Sequence, residues 1–285
     1  DGTLLAGTGG GVFRSEDKGA TWTAASNDLP GRVVPALAFA PDGALYAGTG
    51  AGGIFRSVNK GATWMAASYG LTSKTIQALA FTPDGTLYAG TLGGGVFRSA
   101  DNGATWVAAN NGLTNADVRA LALAPDGTLY AGTGGANAAG VHGDGVFRSA
   151  NKGVTWTAAN KGLTQKDVRA LALAPDGTLY AGTWRGGVFR SADKGATWTA
   201  GNNGLTNSRV QSLALAPDGT LYAGTHFGGV FRSTDKGATW TAAGGKLRNK
   251  TVNALALDPD GTLYAGAWGG GVYMSTDIGA TWAVM

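Results

Sequence analysis

One octapeptide pattern, S-x-[DN]-x-G-x-T-W, occurs seven times in this 285-residue chain and limits what the chain can fold into more than any other feature. Its tryptophans are Trp22, Trp64, Trp106, Trp156, Trp198, Trp240 and Trp282. They recur every 42 residues, except for an interval of 50 between Trp106 and Trp156. The extra residues fall within positions 134–145. A fixed period of this length marks a repeat architecture, in which each unit buries its apolar surface only against its neighbours.

One unit reads clearly between residues 118 and 160. Positions 118–123 alternate small and apolar side chains with other residues, as a strand does. Pro125-Asp126-Gly127 is a turn, with proline presetting φ and glycine accepting a positive one. Residues 128–133 form a second strand, a glycine-rich loop follows, and residues 145–149 form a third. The octapeptide makes the next turn, and residues 155–159 are the fourth strand. Four short strands in about 40 to 45 residues are the signature of a propeller blade. No 3.6-residue apolar period supports a helical solenoid. The reading is therefore all-β: one domain over residues 1–285, a seven-bladed β-propeller of four-stranded antiparallel blades. The box tryptophan fits the space between blades, where burying one ring removes roughly 150–250 Å² from water.

The seven boxes resemble the Asp-box, or BNR, repeat of sialidases, sortilin-type receptors, xyloglucan-cleaving glycosidases and photosystem II assembly-factor-like propellers. The resemblance covers nearly the whole chain. It implies a box that joins the third and fourth strands of a blade and is structural rather than catalytic. Asp17, Asp101, Asp193, Asp235 and Asp277, with Asn59 and Asn151, have side-chain oxygens suited to accept backbone N–H groups in their own turn.

That use of the acids bears on catalysis. The chain has one glutamate, Glu16, and it lies inside a box. Most other aspartates belong to boxes or to the Pro-Asp-Gly turns at Asp42, Asp84, Asp126, Asp176, Asp218 and Asp260. Glycosidases need two carboxyl groups flanking the scissile bond, so the expectation is no catalytic residue, no cofactor and no metal site. Asp117 and Asp167 stand at equivalent positions just before a first strand and read as loop residues. The repeated arginines Arg14, Arg56, Arg98, Arg148, Arg190 and Arg232 read as stems packing beside the box tryptophan.

Charged residues are 14% of the chain and the net charge is +4, with no basic run, which gives nucleic-acid binding no support. There is no cysteine, and no apolar run reaches the roughly 20 residues of a membrane span. The expected location is extracellular or at a cell surface, of bacterial type.

Near-identical repeats act as an internal control: a position that departs from the template is not required by the fold. Trp184 and Trp268 are the two tryptophans outside the boxes, and both fall between the second and third strands. Arg185 follows Trp184, and the intervening blade carries His226 and Phe227 in the same loop. Other blades have Gly50-Ala51 or Leu92-Gly93 there. The inserted loop adds His142 and Asp144, and Tyr69 replaces asparagine in an inter-blade connection. These eight residues form the candidate binding arc. Aromatic rings beside polar groups suit stacking on sugars or anchoring a protein. The expected function is a non-catalytic recognition module, carbohydrate-binding or protein-binding. The alternatives are an assembly scaffold, a glycosidase, or a designed or recently duplicated propeller without a ligand. A polar set, Gln77, Arg119, Arg169, Gln211 and Asn253, lines the starts of the first strands.

Finally, Asp1-Gly2-Thr3-Leu4 matches Asp42-Gly43-Ala44-Leu45. Blade one is thus expected to lack its innermost strand, to be completed by preceding residues or by a strand-donating partner.

Overall fold

A computed structural model of the chain describes residues 2–26, 28–30, 33–135 and 143–285. Asp1, His142 and most of the insertion lie outside the described residues. The fold is an all-β seven-bladed propeller. The first sheet has three strands and the other six have four, each an antiparallel meander in chain order. The chain divides into two compact units, residues 1–141 with 147–158, and residues 142–146 with 159–285.

The strands follow from the sequence in a simple way. In the fifth blade they are Val168–Leu173, Leu179–Thr183, Gly187–Ser191 and Thr199–Ala200. The first two are joined by the Pro-Asp-Gly turn, where Asp176 Oδ1 accepts the Thr178 N–H at 2.9 Å. Leu179–Thr183 is buried along its whole length, as a strand flanked on both sides must be. Within each unit the first strands of consecutive blades pack side by side. Five of the six first strands carry a register shift at their second residue: Gln77, Arg119, Arg169, Gln211 and Asn253. The polar set read from the sequence is therefore a set of bulge residues, and a bulge re-aims its side chain out of the ladder.

The boxes behave as expected. In the sixth blade Ser233 Oγ donates to Asp235 Oδ1 at 2.7 Å, and Asp235 accepts the Thr239 N–H at 2.9 Å and the Thr239 hydroxyl at 2.5 Å. The turn also holds Lys236 at φ 60, a left-handed position repeated at Lys18, Lys60, Asn102, Lys152, Lys194 and Ile278. These hydrogen bonds hold the carboxyls of Asp17, Asp101, Asp193, Asp235 and Asp277 at about 2, the Thr hydroxyl being the largest cause. Each box tryptophan from the second blade on sends its indole N–H to a carbonyl of the preceding blade. Examples are Trp64 to Ala25 at 2.8 Å in one unit and Trp198 to Ala159 at 2.7 Å in the other. The Trp22 indole N–H is buried and has no partner among the described residues.

Arg56, Arg190 and Arg232 lie directly across from Tyr46, Tyr180 and Tyr222 of the second strand. The Arg56 guanidinium sits 5.9 Å from the Tyr46 ring centre. Cross-strand register makes the tyrosine a neighbour of the arginine.

Candidate functional site

Six of the seven second strands end in, or run directly into, a threonine, with Ala267 in its place in the seventh blade, and the threonine closes the loop that follows. In the fifth blade Thr183 Oγ1 donates to the Gly187 carbonyl and accepts the Gly186 N–H, both at 3.0 Å. The first loop residue then donates its N–H to the residue just before the first strand of its own blade. Trp184 donates to Asp167, His226 to Arg209 and Trp268 to Thr251, each at 2.9 Å. The backbone is thereby fixed, and the side chains are free to differ.

At three of these positions, Thr75, Asp117 and Thr251, the side chain of the residue before the first strand reaches back to the preceding blade's loop. Asp117 Oδ1 accepts the Gly93 N–H at 2.8 Å. Thr251 Oγ1 accepts the Phe227 N–H at 3.1 Å and meets His226 Nδ1 at 3.2 Å. At the fifth-blade loop this role falls to Arg209, which has no acceptor. Its guanidinium lies instead over the Trp184 ring, 5.5 Å from the centre. Arg169, the bulge residue, also lies over that ring, at 4.9 Å. Arg169 is aimed by the buried Asp167 carboxylate through bonds of 2.7 and 2.9 Å.

The rings form a chain. Trp184 and His226 have centres 5.0 Å apart, and His226 and Phe227 have centres 4.3 Å apart, both pairs tilted. Burial and then the Arg209 charge push the His226 imidazole below its usual range, so it is neutral at pH 7. Phe227 is 64% exposed and left-handed, at φ 57. Its third-blade counterpart is Gly93, at φ 77. A bulky side chain in that region is strained, and such strain concentrates at ligand sites. Trp268, in the next loop, is 75% exposed. Among the described residues no carboxylate pairs with Arg185 or Arg209.

The structure thus brings together Trp184, His226 and Phe227, with Arg185 and Trp268 in the same and the following loop. The Asp144 carbonyl accepts the Asn160 side-chain amide at 2.7 Å, beside the start of the third strand of its blade. Tyr69 belongs to the other unit. It is 79% exposed, and its carbonyl accepts the Trp106 N–H at 2.9 Å, beside the outer fourth strand rather than a loop of this type. His142 is outside the described residues. Sequence reasoning missed Arg209. Its signal was present: at the aligned position the other blades have Val33, Thr75, Asp117, Asp167 and Thr251, none of them cationic.

Other chemistry is sparse. Glu16 pairs with Arg14 at 3.5 Å, and no group of three His, Cys, Asp or Glu among the described residues could hold a metal ion. An open apolar hollow lined by Phe39, Phe81 and Leu123 with Pro41, Pro83 and Pro125 contains no ionisable group.

Two families match the chain. Photosynthesis system II assembly factor YCF48 matches residues 3–145, half of it, and the DUF6242 beta propeller domain matches residues 143–254. No protein of curated function matches in sequence. Three solved structures are similar. The extracellular domain of a putative hybrid two-component system from B. thetaiotaomicron is 16% identical, with a TM-score of 0.72 over 96% of this chain and 38% of that one. An ancestral GH74 enzyme is 21% identical, with a TM-score of 0.70 over 85% of this chain and 36% of that one. YCF48 bound to D1 peptide is 18% identical, with a TM-score of 0.69 over 92% of this chain and 85% of that one. The chain spans only about a third of the length of the first two. At these identities the likeness is one of fold.

Proposed function

The chain belongs to the photosystem II assembly factor YCF48 family of BNR propellers, and from that premise we propose that it is a non-catalytic recognition module for a segment of a partner polypeptide. The site is the set of loops bearing Trp184, Arg185, His226, Phe227 and Trp268. One observation carries the reading: the Trp184 ring is held under two guanidiniums, one of them locked by Asp167. An aromatic ring whose position is fixed before binding loses little freedom when a partner arrives. Tryptophan and arginine are also the residues that dominate binding energy at interfaces. Arg185 and Arg209, without carboxylate partners among the described residues, favour a segment that carries acidic side chains or its own terminal carboxylate. A family member, YCF48, has been solved bound to D1 peptide.

The absence of catalysis belongs to the same proposal. The box acids are engaged in their turns, and Asp167 is spent on Arg169. A second reading, a sugar face stacking on a ring, is favoured by the exposure of Trp268. We place the module outside the cell or at its surface, as in the two-component neighbour, whose solved part is an extracellular domain. No helix among the described residues is long and apolar enough to cross a membrane.

A peptide array and a glycan array, probed with the wild-type chain and with Trp184→Ala, test the proposal. Capture of acidic peptides that the variant loses supports it. Glycan capture lost in Trp268→Ala transfers the site to the second reading. Hydrolytic turnover of any captured glycan by the purified chain overturns the non-catalytic claim.

A further inference from the structure

Blades five to seven are not charged alike at their two ends. Each sheet is an antiparallel meander in chain order. The Pro-Asp-Gly turn and the box therefore leave one end of the strands. The loop between second and third strands leaves the other, together with the connection to the next blade. Residues 159–285 contain eight carboxylates, and seven of them lie in the turns and boxes. The eighth, Asp167, is buried and held by Arg169. The loop end is cationic. The connection from the sixth blade to the seventh carries Lys246, Arg248 and Lys250, where the one before it has Gly204, Thr206 and Ser208. Lys246 and Arg248 are exposed and Lys250 is half-buried. Among the described residues none of the three has a carboxylate partner. This connection is wedged between two exposed rings. The Gly229 N–H donates to the Lys250 carbonyl at 3.0 Å, and the Trp268 N–H to the Thr251 carbonyl at 2.9 Å. The Phe227 N–H donates to the Thr251 hydroxyl at 3.1 Å.

We propose that this end of blades five to seven docks on an anionic lipid surface. Lys246, Arg248 and Lys250 meet the headgroups, and the Phe227 and Trp268 rings enter the interface beside them. Clustered Lys and Arg are drawn to an anionic leaflet, and indole rings settle at headgroup level. Both features stand here on one short stretch of backbone. Charge complementarity also fixes the orientation. The opposite approach would set seven carboxylates against the headgroups, whereas this one turns them away. A soluble anionic polymer would pair with the cations but leave the phenyl ring, which has no polar atom, largely in water. An interface takes up both the charge and the ring. The inference goes beyond the peptide reading and does not use the Trp184 ring.

The test pellets the purified chain with vesicles of phosphatidylcholine alone, or of phosphatidylcholine with an equal part of phosphatidylserine. Binding to the mixed vesicles is expected to exceed binding to the neutral ones by about tenfold or more, and to fall as salt is raised. Lys246→Glu combined with Arg248→Glu is expected to lose that excess. Its unfolding midpoint is expected to stay unchanged, because both side chains are exposed. Insertion is read separately, without the charge variant. The chain has no cysteine, so Trp268→Cys takes a single environment-sensitive dye, which is expected to shift to the blue on mixed vesicles. The same dye on Ala192→Cys, exposed in the fifth-blade box, is expected not to shift. Equal binding to both vesicles, binding untouched by charge reversal, or equal shifts from the two labels overturn the proposal. So does retention on a sulfated polysaccharide without vesicle binding, which assigns the cations to a soluble polymer. Trp184→Ala is expected to lose peptide capture and keep vesicle binding, so either reading can fail alone.

Discussion

The loop of the third blade and the loop of the fifth are closed alike but carry different contents, and the second loop residue is left-handed at Gly93 and not at Arg185. Both are closed by a threonine: Thr91 Oγ1 donates to Gly95 at 2.9 Å and Thr183 Oγ1 to Gly187 at 3.0 Å. In the third blade the frame holds Leu92 and Gly93, and Asp117 caps the Gly93 N–H. In the fifth it holds Trp184 and Arg185, and Arg209 stands where the cap should be. One coordinated change, an acceptor replaced by a cation while a leucine becomes an indole, turns a capped turn into a cation–aromatic cluster. Contacts of this kind are worth about 0.5–2 kcal/mol each, more when desolvated. The frame tolerates the change because its own hydrogen bonds use none of those side chains.

The largest expected effect separates frame from contents. Trp198→Ala, in the fifth-blade box, removes a buried ring and its bond to Ala159. It is expected to destabilise the chain by about 3–5 kcal/mol in denaturant unfolding. Trp184→Ala is expected to lose about 1 kcal/mol, the scale of its cation contacts. Equal losses would mean that Trp184 is core, and the comparison between the two loops would collapse.

Next comes partner binding. Trp184→Ala and Arg209→Asp are each expected to weaken capture of the peptide selected on the array by tenfold or more, about 1.4 kcal/mol. Leu92→Ala, in the third-blade loop, is expected to leave it unchanged. Arg209→Asp is the sharper variant, because it puts at the fifth-blade loop the residue type that the fold already carries at Asp117 and Asp167. If capture survives Arg209→Asp with full affinity, as read by titration calorimetry, the cation has no part in recognition.

The two kinds of region were unequally legible in the sequence. Blade count, strand order and the structural use of the box acids follow from local spacing, because a turn's hydrogen bonds join residues two to four apart. Trp184, His226 and Phe227 were found as departures from the repeat. Arg209 escaped because its target lies in the preceding blade, and only the packing of one blade on the next joins Arg209 to Trp184. The Tyr46 neighbour of Arg56 was also out of reach of local spacing, since register across a hairpin sets it. Tyr69 departs from the template as plainly as Trp184, and its backbone carbonyl bonds beside the fourth strand of the next blade.

Acid is expected to tell the box side from the loop side. The box aspartates are held at about 2 against an ordinary 3.8. Their stabilisation is fully present above pH 3.8 and is lost as pH falls toward 2, since the unfolded chain then binds protons that the folded one refuses. Asp193→Asn is expected to reduce that loss, and Asn151→Asp to increase it, in acid titrations followed by circular dichroism. His226 acts in a separate window. Its folded pKa lies below the ordinary 6.5, so its contribution is present above 6.5 and declines as pH falls below it. His226→Gln is expected to remove a small dependence there and leave the acid limb alone. Loss of the acid limb in His226→Gln would contradict the separation.

The smallest effect is the most diagnostic for the loop. Phe227 occupies a left-handed backbone position that Gly93 fills in the third blade. A side chain there costs roughly 1–2 kcal/mol, while glycine costs only its extra freedom in the unfolded chain. Phe227 also packs on His226, which returns part of the strain. Phe227→Gly is therefore expected to raise stability by about 0.5–1 kcal/mol in denaturant unfolding while weakening peptide capture. The reciprocal Gly93→Phe is expected to destabilise, because the third-blade loop offers no aromatic neighbour to offset the backbone. If Phe227→Gly lowered stability instead, the ring would be a packing element of the sixth blade, and the strain would have no function left to explain it.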